Sequence, residues 1–108
     1  MGDRGNIIVK DGSGTIHLYT HWTGSDLPES IRKSLARAKD RWDDPPYLTR
    51  VLFQDMIGKD TGTSGFGIST EMGDGGTDII VNCDDAVVTW HGQSISFAAY
   101  ADGEEFKL

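Results

Sequence analysis

Alternation of apolar and polar residues predicts a β-hairpin near the start of the chain. An apolar run at residues 7–9 is followed by the sequence DGSG, which is typical of a hairpin turn. From Thr15 to Trp22 the residues alternate between two faces, as in a strand that is buried on one side. We therefore interpret residues 5–22 as a hairpin. The polar face of its second strand carries His17, Tyr19 and His21.

A first amphipathic helix is predicted after the hairpin. Its apolar stripe recurs at spacings of three and four residues and consists of Leu27, Ile31, Leu35, Ala38 and Trp42. Ser25 or Asp26 can cap this helix, and Pro28 suits its first turn. The sequence DDPP at residues 43–46 ends it, because a residue that precedes proline is disfavoured in the α region.

A second helix, over residues 47–57, is apolar around most of its circumference. Such a helix is covered on more than one side. Either the sheet and the first helix both pack on it, or a second subunit does, so we expect a homo-oligomer.

Four further strands are predicted in the second half of the chain, at residues 66–70, 78–83, 86–90 and 94–101. The resulting order is β-β-α-α-β-β-β-β. We predict a single α+β domain over residues 1–108, with two layers, in which two helices pack on an antiparallel sheet. Hairpin-length connections exclude a parallel doubly wound sheet. The tail GEEFKL is expected to be frayed.

Composition and charge restrict the partners. The chain has 108 residues, 37% of them hydrophobic, and a formal net charge of −7. Residues 1–54 are nearly neutral, whereas residues 55–108 hold two Lys/Arg and ten Asp/Glu. Nucleic-acid binding needs clustered cations, so we expect no direct nucleic-acid partner. The acidic half either solubilises the protein or faces a basic protein.

The single cysteine, Cys83, cannot form an internal disulfide, which fits a reducing cytosol. The first residues carry no apolar signal-peptide core, and no apolar run approaches the length that spans a bilayer. We therefore expect a cytoplasmic protein with no membrane partner. If a phage encodes it, the compartment is the cytoplasm of the host cell.

The glycine-rich stretch from residue 58 to 76 contains seven of the fourteen glycines and suggests two interpretations. Backbone amides with the hydroxyls of Thr61 and Thr63 can cradle a phosphate. The stretch lacks the spacing of known phosphate-binding loops and follows a helix instead of opening one, so it is also typical of a plain connecting loop.

His17, Tyr19 and His21 can line a pocket for a planar ligand, or they can form the solvent-exposed polar face of an antiparallel sheet. The two histidines lie about 13 Å apart along a strand, too far for one metal ion. Half of the cations lie on the first helix, where they can hold a phosphate or form a solvated face; they are Arg32, Lys33, Arg37, Lys39 and Arg41.

A catalytic role has little support in the sequence. Cys83 and His91 would need hydrogen-bond reach and a third orienting group, and their spacing indicates neither. Acidic pairs at residues 43–44 and 84–85 lack calcium-loop spacing and are better explained as a helix cap and a turn. We predict no catalytic residue, no metal and no cofactor.

Several motifs resemble a family of small uncharacterised proteins of bacteriophages, prophages and actinobacteria. The family pattern is YTHW-x-G-x-x-LP, then a basic helix, then RWDD-x-x-YL-x-R, then G-[FY]-GIS. In this chain these motifs are Tyr19 to Trp22, Leu27 and Pro28, Arg41 to Asp44, Tyr47, Leu48 and Arg50, and Gly65 to Ser69. The resemblance covers most of residues 6–90 and implies a compact accessory domain of a mobile element, without an assigned reaction.

The leading hypothesis is a non-enzymatic accessory protein that binds and sequesters a small anionic ligand, with a nucleotide immune signal as the expected ligand. The expected ligand-binding residues are Tyr19, His21, Trp22, Arg41, Arg50, Thr61 and Thr63, with His17 as a further pocket candidate. Trp22 or Tyr19 would stack on a base, and the two arginines would hold phosphate. The alternative is an acidic inhibitor that binds a host defence effector or nuclease.

Overall fold

A computed structural model describes residues 2–107 as one sheet with helices packed on one of its faces. The strands are β1 (Gly5–Asp11), β2 (Gly14–Thr20), β3 (Phe66–Ser69), β4 (Thr77–Asn82), β5 (Val87–Trp90) and β6 (Gln93–Ser96). The α-helices are α1 (Leu27–Arg37), α2 (Pro45–Ile57) and α3 (Phe97–Ala101). Short 3-10 turns at Gly24–Asp26 and Lys39–Arg41 flank α1. The α+β class is confirmed.

The sheet is mixed, which corrects the prediction of a purely antiparallel one. Its strand order is β3-β2-β1-β4-β5-β6, and β1 pairs with β4 in parallel while all other neighbours are antiparallel. The parallel pair arises because the connection after β3 passes across β2 and β1 before β4 begins. A glycine-rich segment of seven residues (70–76) is enough for this crossing, although parallel connections normally contain a helix.

The last predicted strand, residues 94–101, is half strand and half helix. β6 ends at Ser96, and α3 begins at Phe97. The Ser96 side chain accepts a hydrogen bond from the Ala99 backbone N–H at 3.1 Å, which is an N-cap contact. The alternation of apolar residues up to Ala101 therefore predicted a strand where residues 97–101 form a third helix.

The first helix is shorter than predicted. α1 ends at Arg37, and Trp42 lies beyond it, after the second 3-10 turn. Trp42 still packs inward, since its indole Nε1 donates to the Leu35 carbonyl at 2.9 Å. Neither Ser25 nor Asp26 caps α1 with its side chain. Instead, the Asp3 carboxylate accepts hydrogen bonds from the backbone N–H and the hydroxyl of Ser25. These hydrogen bonds lower the pKa of Asp3.

The core lies between the helices and one face of the sheet. Ile7 on β1 has Leu18 and Ile79 as its direct neighbours on β2 and β4, and all three are fully buried. The helices contribute Leu27, Ile31, Leu35, Leu48, Leu52, Phe97 and Tyr100. The opposite face of the sheet carries the alternate residues of the strands. Within residues 2–107, no helix is long and apolar enough to cross a membrane.

Candidate functional site

Three of the predicted ligand-binding residues lie together at the C-terminal end of β2. Tyr19 is on the face of the sheet away from the helices, His21 follows the strand, and Trp22 comes next. The Tyr19 hydroxyl lies 3.2 Å from His21 Nδ1. The rings of His21 and Trp22 meet edge to face with 6.5 Å between their centroids.

Arg4 joins this group, although no pattern in the sequence predicts it. Its Nε donates to His21 Nδ1 at 3.2 Å across 17 positions of sequence. Since Nδ1 then acts as an acceptor, the ring proton of a neutral His21 is assigned to Nε2. The Arg4 guanidinium also lies 3.9 Å from the Asp74 carboxylate, a long and exposed ion pair. We call Arg4, Tyr19, His21 and Trp22 the β2-end cluster.

Trp22 is held in place from one side and open on the other. Its ring packs edge to face on Phe66, with 5.7 Å between centroids, and against the backbone of Gly65. The His21 backbone N–H donates to the Gly65 carbonyl at 2.8 Å, which fixes the start of β3 beside the ring. Trp22 nevertheless remains 49% exposed. A rigid, exposed indole of this kind is suited to stacking with a planar ligand.

The connection from β3 to β4 folds over the sheet next to this cluster. Asn6 is fully buried, and its side-chain amide donates to Asp78 Oδ1 at 2.9 Å and accepts from the Gly73 backbone N–H at 3.1 Å. A Cβ on Gly73 would overlap the Tyr19 ring. Gly73 therefore serves close packing over Asn6 and Tyr19.

His17 lies farther along the same face of β2, opposite Ile8. Its Nδ1 is buried and has no hydrogen-bond partner within the described residues. His17 is thus on the predicted pocket face, but it is not part of the β2-end cluster.

Arg41 lies at the opposite end of the molecule. Its guanidinium is 3.5 Å from the Asp44 carboxylate and 4.9 Å from the centre of the Tyr47 ring, both at the start of α2. That helix starts beside Gly14, because Pro45 and Gly14 line the same cleft. β2 runs about 20 Å from Gly14 to its other end. Arg41 and the β2-end cluster are therefore separate.

Two other cations of the first helix, Arg32 and Arg37, have structural partners as well. Arg32 lies over the Tyr100 ring at 4.3 Å and donates to the Tyr100 carbonyl. Arg37 donates to Asp55 on α2 at 3.0 Å. Of the predicted basic face, Arg32 and Arg37 therefore contact α3 and α2, while Lys33 and Lys39 are exposed.

Arg50 lines a groove between α2 and the edge of the sheet. A cleft of about 680 Å³ and a neighbouring one of about 480 Å³ share Pro46, Thr49 and Ile68 in their walls. Arg50 lines the second of them and is exposed. The walls are mostly apolar, and Ile68 is 59% exposed.

Thr61 and Thr63 are exposed in the connection between α2 and β3. Asp60 accepts a hydrogen bond there from the Gly62 backbone N–H at 2.8 Å. This amide is one of those that the phosphate-cradle hypothesis requires, and a carboxylate already occupies it. The two threonines remain predicted ligand residues without a defined site.

Cys83 and His91 are separated by the length of β5. Cys83 lies at the β4–β5 turn, while His91 lies at the β5–β6 turn, where its ring stacks on Trp90 at 4.3 Å. Burial, with the negative charges of Asp11 and Asp84, raises the pKa of the Cys83 thiol to about 11. Such an environment disfavours the thiolate that a nucleophile requires.

Among residues 2–107, no group of three or more His, Cys, Asp or Glu side chains is arranged to hold a metal ion. No family model, curated protein or solved structure matches this chain.

Proposed function

We propose that this chain is a non-enzymatic binding protein that captures a small anionic, planar ligand, a nucleotide, at the β2-end cluster. The observation that carries the proposal is the exposed Trp22 ring, which meets His21 edge to face while His21 accepts a hydrogen bond from Arg4. A base would stack on the indole, and the Arg4 guanidinium would bind phosphate. Because the chain resembles phage and prophage proteins, the ligand class that we propose is a nucleotide immune signal. The role of the protein would be to sequester that signal.

Two features support phosphate binding by Arg4. Its only carboxylate partner in the described residues, Asp74, is 3.9 Å away and 77% exposed, so a closer anion can replace it. Its Nε is already oriented by His21, so a phosphate would be bound through the terminal nitrogens, of which Nη1 faces Asp74. Binding would therefore require little rearrangement of this side chain.

Native mass spectrometry tests the proposal with a mixture of mononucleotides, cyclic nucleotides and dinucleotides. We expect one added mass per site on the wild type, released chemically unchanged. Arg4→Gln and Trp22→Leu should each lose the adduct while the thermal midpoint stays within a few degrees. Arg41→Gln is the matched control, because that arginine lies at the other end of the molecule. Retention by both β2-end variants would refute the site.

A second candidate function is the acidic inhibitor of a basic host protein. It is favoured by the end of the sheet where Asp11, Asp84 and Asp85 gather, and where the first two raise the pKa of Cys83. Charge reversal of exposed acids at residues 71–85 and 102–105 should weaken a protein complex and flatten its salt dependence. If charge reversal leaves complex formation unchanged, this second candidate function is refuted.

A further inference from the structure

The two edges of the sheet differ. At β6 the chain's own tail covers part of the edge, because the Gln93 side chain accepts from the Lys107 backbone N–H at 2.9 Å and donates back to its carbonyl. At the other edge, β3 has β2 on one side and no strand of the described residues on the other. β3 is therefore the open edge.

The register shows which backbone groups of β3 point outward. The hydrogen bond from His21 N–H to the Gly65 carbonyl continues the β2–β3 ladder by one pair. Hydrogen-bonded and non-hydrogen-bonded pairs alternate in an antiparallel ladder, so Gly67 and Ser69 bond to β2. Phe66 and Ile68 consequently direct their N–H and C=O groups away from the sheet. A row of donors and acceptors is thus ready for another strand.

Exposed sheet edges are normally protected by charges, proline or a bulge. β3 reads Phe-Gly-Ile-Ser and has none of these, and the ten residues from Thr61 to Thr70 contain no charged side chain. For a chain of net charge −7, this is a place where two copies can approach without bringing like charges together.

The helix next to this edge is also incompletely covered. α2 buries Leu48, Leu52 and Met56, but Val51, Phe53 and Ile57 are only half-buried and Tyr47 is 55% exposed. Phe53 and Ile57 line the groove whose other wall is the exposed Ile68 side chain. Apolar surface therefore continues from α2 to the open edge.

We infer that a second copy of this chain occupies the open edge, with the two β3 strands paired antiparallel about a two-fold axis at Gly67. In that register Phe66 of each copy faces Ile68 of the other, and the outward backbone groups of both residues are satisfied. A two-fold axis keeps both Ile68 side chains on the helix side, where each covers the groove of its neighbour. The space above Gly67 is open, so the strands can approach at the axis.

Charge at Ile68 tests this arrangement directly. Ile68 side chains of the two copies are diagonal neighbours across the axis, so Ile68→Lys places like charges near each other and should convert a dimer to a monomer in light scattering. The monomeric variant should remain folded, since the Ile68 side chain is exposed in the single chain. Ser94→Lys, an exposed position on β6, is the matched control and should remain dimeric. Mixing Ile68→Lys with Ile68→Glu should restore the dimer.

Amide hydrogen exchange gives a second measurement that needs no variant. In a dimer the Phe66 and Ile68 amides are protected at high protein concentration and exchange faster on dilution. In a monomer they exchange rapidly at every concentration, while Gly67 and Ser69 stay protected. A monomeric wild type, or an Ile68→Lys protein that remains dimeric, would overturn the inference. Neither result depends on whether the β2-end cluster binds a ligand.

Discussion

The Trp22 ring rests directly on the backbone of Gly65, so closely that a Cβ at that position would overlap the six-membered ring. Gly65 also has a φ of +89°, a conformation that side chains other than glycine rarely adopt. Two independent constraints thus require glycine where the segment after α2 enters β3. The contact joins the proposed ligand site to the open edge of the sheet.

Gly65→Ala should displace the Trp22 ring and strain the backbone. We expect a loss of about 1–3 kcal/mol in the free energy of unfolding, measured with denaturant, together with loss of ligand binding. Gly67→Ala is the control for stability, since its Cβ would meet no atom within 4 Å, and it should stay within about 0.5 kcal/mol of the wild type. Equal stability of both variants would contradict the tight Trp22 contact.

A buried polar contact joins α1 to α2. The Ser34 hydroxyl is fully buried and donates to Asp55 Oδ2 at 2.7 Å, while Arg37 donates to Oδ1 at 3.0 Å. Ser34→Ala should lower the free energy of unfolding by about 1–2 kcal/mol. The substitution removes the hydrogen-bond donor of Asp55 Oδ2, and water reaches this oxygen poorly. Arg37→Gln should cost less than about 1 kcal/mol, since the arginine is 45% exposed. Chemical denaturation of both variants checks this ranking, and the reverse order would disprove it.

The tail packs against the domain up to Lys107, in contrast to the predicted fraying, and Leu108 lies outside the described residues. Phe106 packs on Trp90 and Tyr100 with centroid distances of 5.8 and 5.4 Å, and Arg32 donates to the Glu104 carbonyl. Phe106→Ala should therefore lower the free energy of unfolding by about 1–3 kcal/mol through lost apolar burial. Lys107→Ala keeps the backbone contact to Gln93 and should be nearly neutral. A thermal melt that cannot distinguish Phe106→Ala from wild type would show that the tail does not contribute to stability.

Cys83 should react slowly with iodoacetamide in the folded protein at pH 8. Its pKa of about 11 leaves little thiolate there, and the alkylation rate should rise as the pH approaches that value. Asp11→Asn removes one of the two negative charges that raise the pKa and keeps an acceptor for the Ser13 N–H. We therefore expect faster alkylation of that variant at the same pH, with urea-unfolded protein as the reference. A rate in the folded wild type equal to the unfolded rate would contradict the raised pKa.

Local sequence patterns predicted the early elements well because each carries its own signal. Alternation from Thr15 to Trp22 indicated β2, and the apolar stripe from Leu27 to Leu35 indicated α1. The same kind of signal failed at residues 97–101, where Phe97 and Tyr100 also fit a helical spacing and both are buried. The Ser96 cap favours the helix there, which alternation alone does not indicate.

The candidate site was only partly predictable, because its members come from distant positions. Tyr19, His21 and Trp22 are neighbours in sequence, so the pattern of β2 was enough to group them. Arg4 reaches His21 only because the segment before β1 lies alongside the end of β2. Arg41 was grouped with Trp22 by residue type, yet α1 and α2 carry it to the opposite end of the molecule.

The sequence by itself determined the hairpin, the two main helices, the glycine-rich connections and the distribution of charge, since these depend on contacts within a few residues. Only the tertiary structure decided that β1 and β4 pair in parallel, that β3 is the open edge, that Trp22 lies against Gly65, and that Arg4 reaches His21. Those features depend on where a flexible connection crosses the sheet, and glycine-rich segments permit many paths. Packing of the whole chain selects one of them.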